Sequence, residues 1–405
     1  MKLSGDRVLS FLAALFYSLF SPSVLFPAVR GDLGSWFYAR RLHTLVHYGE
    51  GAHNVALSLL PLALLIAYLA ITRASHGWKI AAGIITGLMV LINAFAAVDL
   101  TIGLAILCMI QPAANRVRSL ALLGAIGAFA YLWICPFLTP SLIHTIRTDS
   151  MLSGDYHYGP REIAAALFVV IGTVAVWFAT RHLSALERFS LPFAWVMIVI
   201  PSLAHFAHIA VLPQAERYHL EMEMGFTLAL FTIGQRLLRR FGKVPTAAVA
   251  GCVVGLLIAQ FIVYRKFARE LIQRLDVTTV VEYKAPKWLE ANLPGLRSMM
   301  SGDLGFWFNA FTNNPQLSAG HDPFSPNWMV EIAVYAIYAS QDVHKTILWL
   351  QAFGCHAVTV PGPDSRNAYK PYSFPKKFDG VLPVLWREGA KRFTECLSVR
   401  NRWRM

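Results

Sequence analysis

Charge is scarce in this 405-residue chain: Asp, Glu, Lys and Arg together make up 15% of it, against about a quarter in soluble domains. Hydrophobic residues make up 56%, and the two figures together argue against an ordinary soluble globule. Cysteine is scarce as well. None of the five forms a CxxC pair, and Cys108, Cys135 and Cys252 lie inside apolar stretches where a thiol acts as a small hydrophobe. A disulfide framework and a zinc knuckle are therefore excluded as organising principles. Cys355 and Cys396 fall in a more polar region and would suit a disulfide if that region lies outside the cytosol. The 36 basic residues outnumber the 23 acidic ones, for a formal charge of +13. No run of them is dense enough to track phosphates, which argues against a nucleic-acid partner. No repeat of fixed period occurs. One short echo does, with Gly31-Asp32-Leu33-Gly34 and Trp36-Phe37 matched by Gly302-Asp303-Leu304-Gly305 and Trp307-Phe308.

Apolar windows near the ~20 residues needed to cross a bilayer, uncharged except for Glu223 in the eighth, dominate the first two thirds. Nine are counted: Val8–Ala28, Asn54–Thr72, Ile80–Ala97, Leu100–Gln111, Ser119–Leu138, Ile163–Thr180, Phe189–Leu212, Met222–Gln235 and Val244–Tyr264, the fourth and eighth being short. Pro22 and Pro27 interrupt the first, and no small-residue cleavage site follows it, so it does not read as a cleavable signal peptide. The expected fold class is a membrane all-α bundle of about nine transmembrane helices over residues 1–264, followed by a small extracytoplasmic α/β domain over residues 265–405.

Lys and Arg set the orientation. With Arg236, Arg239, Arg240 and Lys243 in the cytoplasm, alternation also places Lys2, Arg7, Arg73, Lys79, Arg116, Arg118, Arg181 and Arg188 there. Arg30, Arg40, Arg41, Arg147, Arg161 and Arg217 then face the other side. The amino end is expected in the cytoplasm and the carboxyl end outside, in a plasma (inner) membrane. Most acids of the bundle fall at the outer face, among them Asp32, Glu50, Asp99, Glu216, Glu221 and Glu223, whereas His76 and His182 are the only cytoplasmic histidines.

Beyond Tyr264 the composition changes. The last 141 residues hold eighteen basic and twelve acidic side chains and no window long enough to span. An apolar stretch from Trp328 to Ala339, an amphipathic helix from Val343 to Phe353 capped by Gly354, and a short β-branched strand from Ala357 to Val360 predict a small α/β layer. Residues Lys391 to Met405 are basic, lack apolar period and read as a frayed tail or unfinished element.

The ionisable residues crowd into the outer loops. The first carries Arg30, Asp32, Arg40, Arg41, His43, His47, Glu50 and His53 between two spans, and such a loop is costly to desolvate unless water or partners reach it. It reads either as the lining of a polar cavity, with Asp32 or Glu50 as general base and Arg40 and Arg41 gripping a phosphate, or as an interfacial loop whose arginines meet lipid headgroups. His43, His47, Glu50 and His53 have a spacing that would suit a divalent metal on one helix, but Gly49 and Gly51 break that helix, so any metal stays unassigned. Glu216, Arg217, His219 and Glu221 form a second compact loop, either an ion-pair cluster or a recognition site for phosphate or sugar. His205 and His208 share a face near the outer end of the seventh window; both the core reading and a cavity-lining role stand. Asp149, Asp155, His157 and Arg161 show no recognisable spacing. In the soluble part, residues from Gly320 to Asn327 read as turn chemistry.

The strings SPSVLFPAVRGDLG, RRLHTLVHYGEGAHN, PQAERYHLE, FTNNPQLSAGHDPFSPN and PKKFDGVLPVLWREG together resemble a group of bacterial polytopic membrane proteins. They are usually described as related to the GT-C class of membrane glycosyltransferases, and one of their domain labels mentions 6-pyruvoyl-tetrahydropterin synthase. The resemblance covers nearly the whole chain. It implies a multi-helix bundle with an extracytoplasmic cavity, a sugar taken from a polyprenyl-phosphate donor, and an outer-loop acid that deprotonates the acceptor hydroxyl. GT-C members usually carry that acid after their first span, upstream of what corresponds to Val8, so Asp32 is not equated with it. A truncated member, active or reduced to its scaffold, is the corresponding expectation. On this reading Asp32 and Glu50 are the acids or bases, and Arg40, Arg41 and Arg217 are the phosphate partners. His43, His47, His205, His208, Glu216, His219 and Glu221 line the cavity. Membrane lipids and a lipid-linked sugar donor are the implied partners. A secondary transporter using His205, His208 and Asp99 as a proton path is the alternative, and a non-catalytic cell-envelope scaffold is the third reading.

Overall fold

In the computed structural model, which describes residues 7–35, 38–73, 75–144, 159–241, 243–317, 327–362, 372–388 and 394–399, proline, glycine and side-chain caps set the helix boundaries. Pro22 and Pro27 each lack the amide hydrogen that an interior helical turn needs. They split the first apolar window into α1 (Arg7–Leu19), a 3-10 turn at Pro22–Leu25 and α2 (Pro27–Leu33). Gly34 ends α2 in the left-handed region, at φ +68°, as a C-terminal glycine does. Then come α3 (Arg40–His47), α4 (Gly51–Thr72), α5 (His76–Ile92), α6 (Ala96–Met109) and α7 (Ala113–Ile134). Asn93 Oδ1 accepts from the Phe95 amide at 2.8 Å just ahead of α6.

Glutamates in the first turn start the next two helices: Glu162 Oε2 accepts from the Gly159 amide at 2.9 Å, and Glu187 completes a capping box with Ser184. Gly159 and Glu162 open α8 (Pro160–Ala179), and Ser184 and Glu187 open α9 (Ala185–Ser202). A π-turn, Leu203–Ala207, extends α9 before a loop in which His208 and Gln214 have positive φ, 54° and 51°. The 3-10 turn Ala215–Tyr218 leads into α10 (His219–Phe241), followed by α11 (Lys243–Leu271). The eighth window is thus the interior of α10, and the ninth continues as helix past Tyr264 to Leu271.

Among the described residues, five helices are long and apolar enough to cross a membrane: Gly51–Thr72, Ala113–Ile134, Pro160–Ala179, Ala185–Ala207 and Ala247–Leu271. The helices Arg7–Leu19, His76–Ile92 and Ala96–Met109 are apolar but shorter. Phe168, Ile171 and Phe178 of α8 and Leu256, Ile258 and Ile262 of α11 face outward, an exposure that water would penalise and lipid would not. The inward core is apolar and includes the fully buried Leu60, Met89, Phe193 and Met197. Gly225 lets α10 approach α9 closely, since a Cβ there would lie 3.0 Å from the Ala194 Cα.

The chain divides into two compact units, the second made of residues 140–153 together with the chain from Arg274 onward. Its four-stranded sheet has the order β1-β2-β4-β3, with β1 (Ser298–Met299) parallel to β2 (Ala357–Pro361) and both β2 and β3 (Val384–Arg387) antiparallel to β4 (Thr394–Ser398). The parallel pair is joined through α13 (Asp303–Phe311), α14 (Trp328–Ala339) and α15 (Val343–Ala352), while α12 (Val281–Asn292) precedes it. Every residue of β2 is buried. Val334, Ile337, Leu350 and Val358 form one core, and Ala285, Leu289, Leu304, Phe308 and Ala357 form another. Asp342 caps α15 by accepting from the His344 and Lys345 amides, and Gly354 follows at φ +66°, where the amphipathic pattern places the stop. The protein is mostly helical, with a small sheet.

The disulfide considered between Cys355 and Cys396 does not form. Cys355 is a free, buried thiol, and the strand register sets Cys396 opposite Thr359. Residues from Thr394 to Ser398, within the stretch read as a frayed tail, supply β4 because β2 and β3 offer them hydrogen-bonding edges on both sides.

Candidate functional site

Where the sequence crowds its ionisable residues, the first unit folds them onto one another. The turn between α2 and α3 pairs Asp32 with Arg40, the side chains being 26% and 8% exposed. Tyr48 donates its hydroxyl to the other Asp32 oxygen at 2.7 Å, and His43 Nδ1 lies 3.8 Å from the carboxylate. Burial works to raise the Asp32 carboxyl, but the hydrogen bonds from Tyr48 and Arg40 outweigh it and hold Asp32 below the usual carboxylate range. Burial pushes the His43 imidazole below its ordinary value, so it is neutral at pH 7. Its Nδ1 accordingly faces the Arg40 guanidinium at 3.4 Å as an acceptor.

Arg41, the next residue, points elsewhere. Its Nε and a terminal nitrogen both donate to Glu223 Oε2, at 3.2 and 3.1 Å, and its guanidinium lies 3.3 Å from the Tyr17 ring centroid. Ser23 donates to the other Glu223 oxygen at 2.5 Å. The Glu223 side chain is fully enclosed, so this cation–carboxylate pair is a buried one with every carboxylate oxygen bonded.

A third group is built on the start of α4. Glu50 is ion-paired with Arg217, and the Arg217 guanidinium stands 5.2 Å over the Phe95 ring. Burial opposes ionisation of Glu50, yet His53 and Arg217 keep its carboxyl below the usual range. His53 lies between two carboxylates, 3.4 Å from Glu50 Oε2 at Nδ1 and 2.6 Å from Glu221 Oε1 at Nε2. Asp99, 2% exposed in the first turn of α6, interacts with Glu221 carboxyl to carboxyl. His219 joins the groups: its Nδ1 donates to the Glu216 carbonyl at 2.9 Å and its Nε2 accepts from Arg40 Nε at 3.3 Å, a pattern only a neutral imidazole satisfies. Glu221 and Glu223, two residues apart on α10, point to opposite sides of that helix, one to His53 and the other to Arg41.

The structure therefore brings Asp32, Arg40 and His43 together, and Glu50 with Arg217 and Glu221, while Arg41 is committed to Glu223. His47 is exposed and stacks on His43 with ring centroids 4.9 Å apart. Glu216 contributes its carbonyl, and its residue is exposed. His205 stacks on Phe26 at 4.3 Å and His208 is exposed on the following loop. Among the described residues neither histidine is hydrogen-bonded to Asp99, so the path drawn from these three is not assembled. Asp149, Asp155 and His157, and the turn residues from Gly320 to Pro326, lie outside the described residues. Arg161 is exposed on the first turn of α8.

Among the described residues no group of three or more His, Cys, Asp and Glu is arranged to hold a metal ion. The quartet His43, His47, Glu50 and His53 is divided because α3 ends at His47 and Gly49, at φ +68°, turns the chain before α4. Sequence reasoning undervalued Tyr17, Ser23, Tyr48, His53, Asp99 and Glu223. The signal available for Glu223 was an acid inside an apolar window, which a bundle must pair internally.

Beneath the cluster an apolar cleft of about 380 Å³ runs between α1, α4 and α10, lined by Leu9, Ala13, Tyr17, Leu65, Met224, Phe231 and other apolar residues. Tyr17 belongs both to this cleft and to the Arg41–Glu223 pair. Chemically, the arrangement offers cations already neutralised by carboxylates beside a hydrophobic channel. No family model and no characterised protein matches this chain.

Proposed function

We propose that the protein is a multi-pass membrane transferase of the glycosyltransferase kind, taking a sugar from a polyprenyl-phosphate carrier at the extracytoplasmic face of the plasma membrane. Nine membrane passages, with the amino end in the cytoplasm and the second unit outside, are part of this reading. The observation that carries it is the junction at Tyr17 between the apolar cleft and the arginine–carboxylate cluster. An isoprenoid chain needs such a cleft, and its phosphate needs guanidinium donors at one end.

The resting ion pairs suggest how chemistry would begin. Asp32 and Glu50, held below the usual carboxylate range, are poor bases while Arg40, Tyr48 and Arg217 bond them. An entering phosphate competes for the same guanidinium groups. As Arg40 or Arg217 turns to it, the released carboxylate regains basicity and can take the acceptor's hydroxyl proton, while the arginines meet the charge that develops on the departing lipid phosphate. The same groups thus hold the site silent without donor and arm it with donor.

Radiolabelled polyprenyl-phosphate sugar supplied to proteoliposomes tests the reading. Transfer to an endogenous or added acceptor is expected, reduced by roughly 10²–10⁴-fold in Asp32→Asn or Glu50→Gln if that carboxylate is the base. No transfer by the parent protein refutes the class. Transfer unchanged in both variants refutes the residue assignment alone.

A further inference from the structure

Asp99, Glu221 and His53 have no role in the transfer chemistry above, yet they are among the most enclosed polar side chains of the first unit, at 2%, 1% and 3% exposure. Two features set them apart from a set of structural ion pairs. First, Asp99 Oδ1 and Glu221 Oε2 accept no hydrogen bond from any described group, although a buried carboxylate oxygen left bare is costly. Second, Asp99 and Glu221 lie within electrostatic reach of each other, and both are near His53, whose Nε2 is 2.6 Å from Glu221 Oε1. Two neighbouring carboxylates inside an apolar bundle repel, and a single proton shared between them relieves the repulsion, as in other carboxyl dyads.

The surroundings fix the number of protons. From α4 and the residue before it come His53 and Glu50, from the 3-10 turn Arg217, from α10 Glu221 and His219, and from the π-turn His205. His219 is neutral by its bonding, as above, and Arg40 lies on its far side. With Glu50 balanced by Arg217, and with the imidazolium of His53 balanced by one carboxylate, the remaining carboxyl of the Asp99–Glu221 pair has no cation left among the described groups. It is uncharged only with a proton of its own.

We propose that Asp99 and Glu221 form a buried proton-binding site that holds one exchangeable proton, and that His53 and Glu50 are its connection to water. The path is short and its polarity is ordered. Glu50, its side chain 19% exposed beside the more exposed Arg217, is the outermost member. His53, protonated on both nitrogens, gives its Nε2 proton to Glu221 Oε1 at 2.6 Å and is left neutral, and a half-turn of the ring brings the bare nitrogen to the side of Glu50 Oε2, which lies 3.4 Å from Nδ1 in the resting ring. A proton arriving at Glu50 then moves to that nitrogen and restores the imidazolium. Glu221 shares what it receives with Asp99. The proposal is independent of the transferase reading, since it needs neither donor nor acceptor.

Infrared spectroscopy of the protein reconstituted in liposomes tests it. The parent protein is expected to show a protonated-carboxyl C=O band at neutral pH that moves to lower frequency in D2O. Asp99→Asn, which keeps the shape of the protonated acid and so preserves the packing, is expected to abolish the band by leaving Glu221 to His53 alone. Glu50→Gln is expected to keep the band and slow its shift in D2O. Absence of the band from the parent, or its survival in Asp99→Asn, overturns the site. An unchanged rate of shift in Glu50→Gln overturns the connection. The parent measurement requires no variant to fold, and sugar transfer is read separately, so failure of one proposal leaves the other decidable.

Discussion

Glu223→Gln isolates the buried pair at the centre of the cluster. The change keeps the shape of the side chain, and its amide oxygen can still accept from Arg41 or Ser23, but the counter-charge of Arg41 is gone. The Glu223 side chain is 0% and that of Arg41 15% exposed, so bulk water reaches the stranded guanidinium poorly. Removing one partner of such a pair costs about 3–5 kcal/mol, because most of the penalty is the unpaired charge left behind. For a unit of this size that corresponds to a melting point lower by roughly 10 °C. The double variant Arg41→Met, Glu223→Met removes both charges at similar volume and should recover most of the loss. Thermal unfolding in detergent, followed by the far-ultraviolet helical signal in the parent, both singles and the double, provides the cycle. If Glu223→Gln melts within about 1 kcal/mol of the parent, or if the double falls as far as the sum of the singles, Arg41 and Glu223 are not coupled and the account of this cluster fails.

Lowering the pH addresses Asp32 and Glu50. Their folded-state carboxyls lie below the unfolded values, so the stability they contribute is present above about pH 4 and is lost as the pH falls through the folded values; Asp32→Asn should flatten that part of a melting-point curve, and an unaltered curve speaks against the shift. Packing of α9 on α10 is tested at Gly225, where a Cβ would lie 3.0 Å from backbone that has no rotamer to escape into. Gly225→Ala should cost about 1–3 kcal/mol, whereas Gly234→Ala, with nothing within 4 Å, should be neutral or stabilising by up to about 1 kcal/mol; equal melting points for the two would contradict the close approach. In the second unit, Lys377 donates to the Ile337 and Ser340 carbonyls, at 2.5 and 2.7 Å, at the end of α14. Lys377→Met leaves these acceptors without that donor and should destabilise by about 1–3 kcal/mol, read as faster local amide exchange in α14; unchanged exchange refutes the cap.

The sequence made the elements legible where local chemistry decides them, and obscured the partners where distance along the chain decides them. Gly354 and the apolar spacing before it predict the end of α15, and the β-branched run predicts β2, because a cap or a strand face depends on a few adjacent residues. The first apolar window is uncharged over its whole length, yet Pro22 and Pro27 deny it the amide donors that a continuous helix requires. Composition over a window cannot register that break. The Gly-Asp-Leu-Gly echo makes the same point from the other side. Residues 31–34 close α2, whereas Asp303 opens α13 after Gly302 at φ +58°, so one string does opposite work in two settings.

The site shows a sharper limit. Loop membership grouped Arg40 with Arg41 as two donors for one phosphate, but adjacent residues on a helix point about 100° apart. Arg40 therefore goes to Asp32 and His219, and Arg41 to Glu223 on a helix 182 positions away. An acid within an apolar helix does announce that some cation must meet it, and Glu223 carried that message in the sequence. Which cation answers is set by how closely α9 and α10 pack at Gly225 and by where the α2–α3 turn delivers its arginines. A phosphate-binding role for either arginine thus depends on whether a ligand can outcompete a carboxylate already in place. Arg40, whose partner Asp32 keeps 26% of its side-chain surface in contact with solvent, is the easier of the two to displace, and Arg41, locked between Tyr17 and an enclosed Glu223, is the harder.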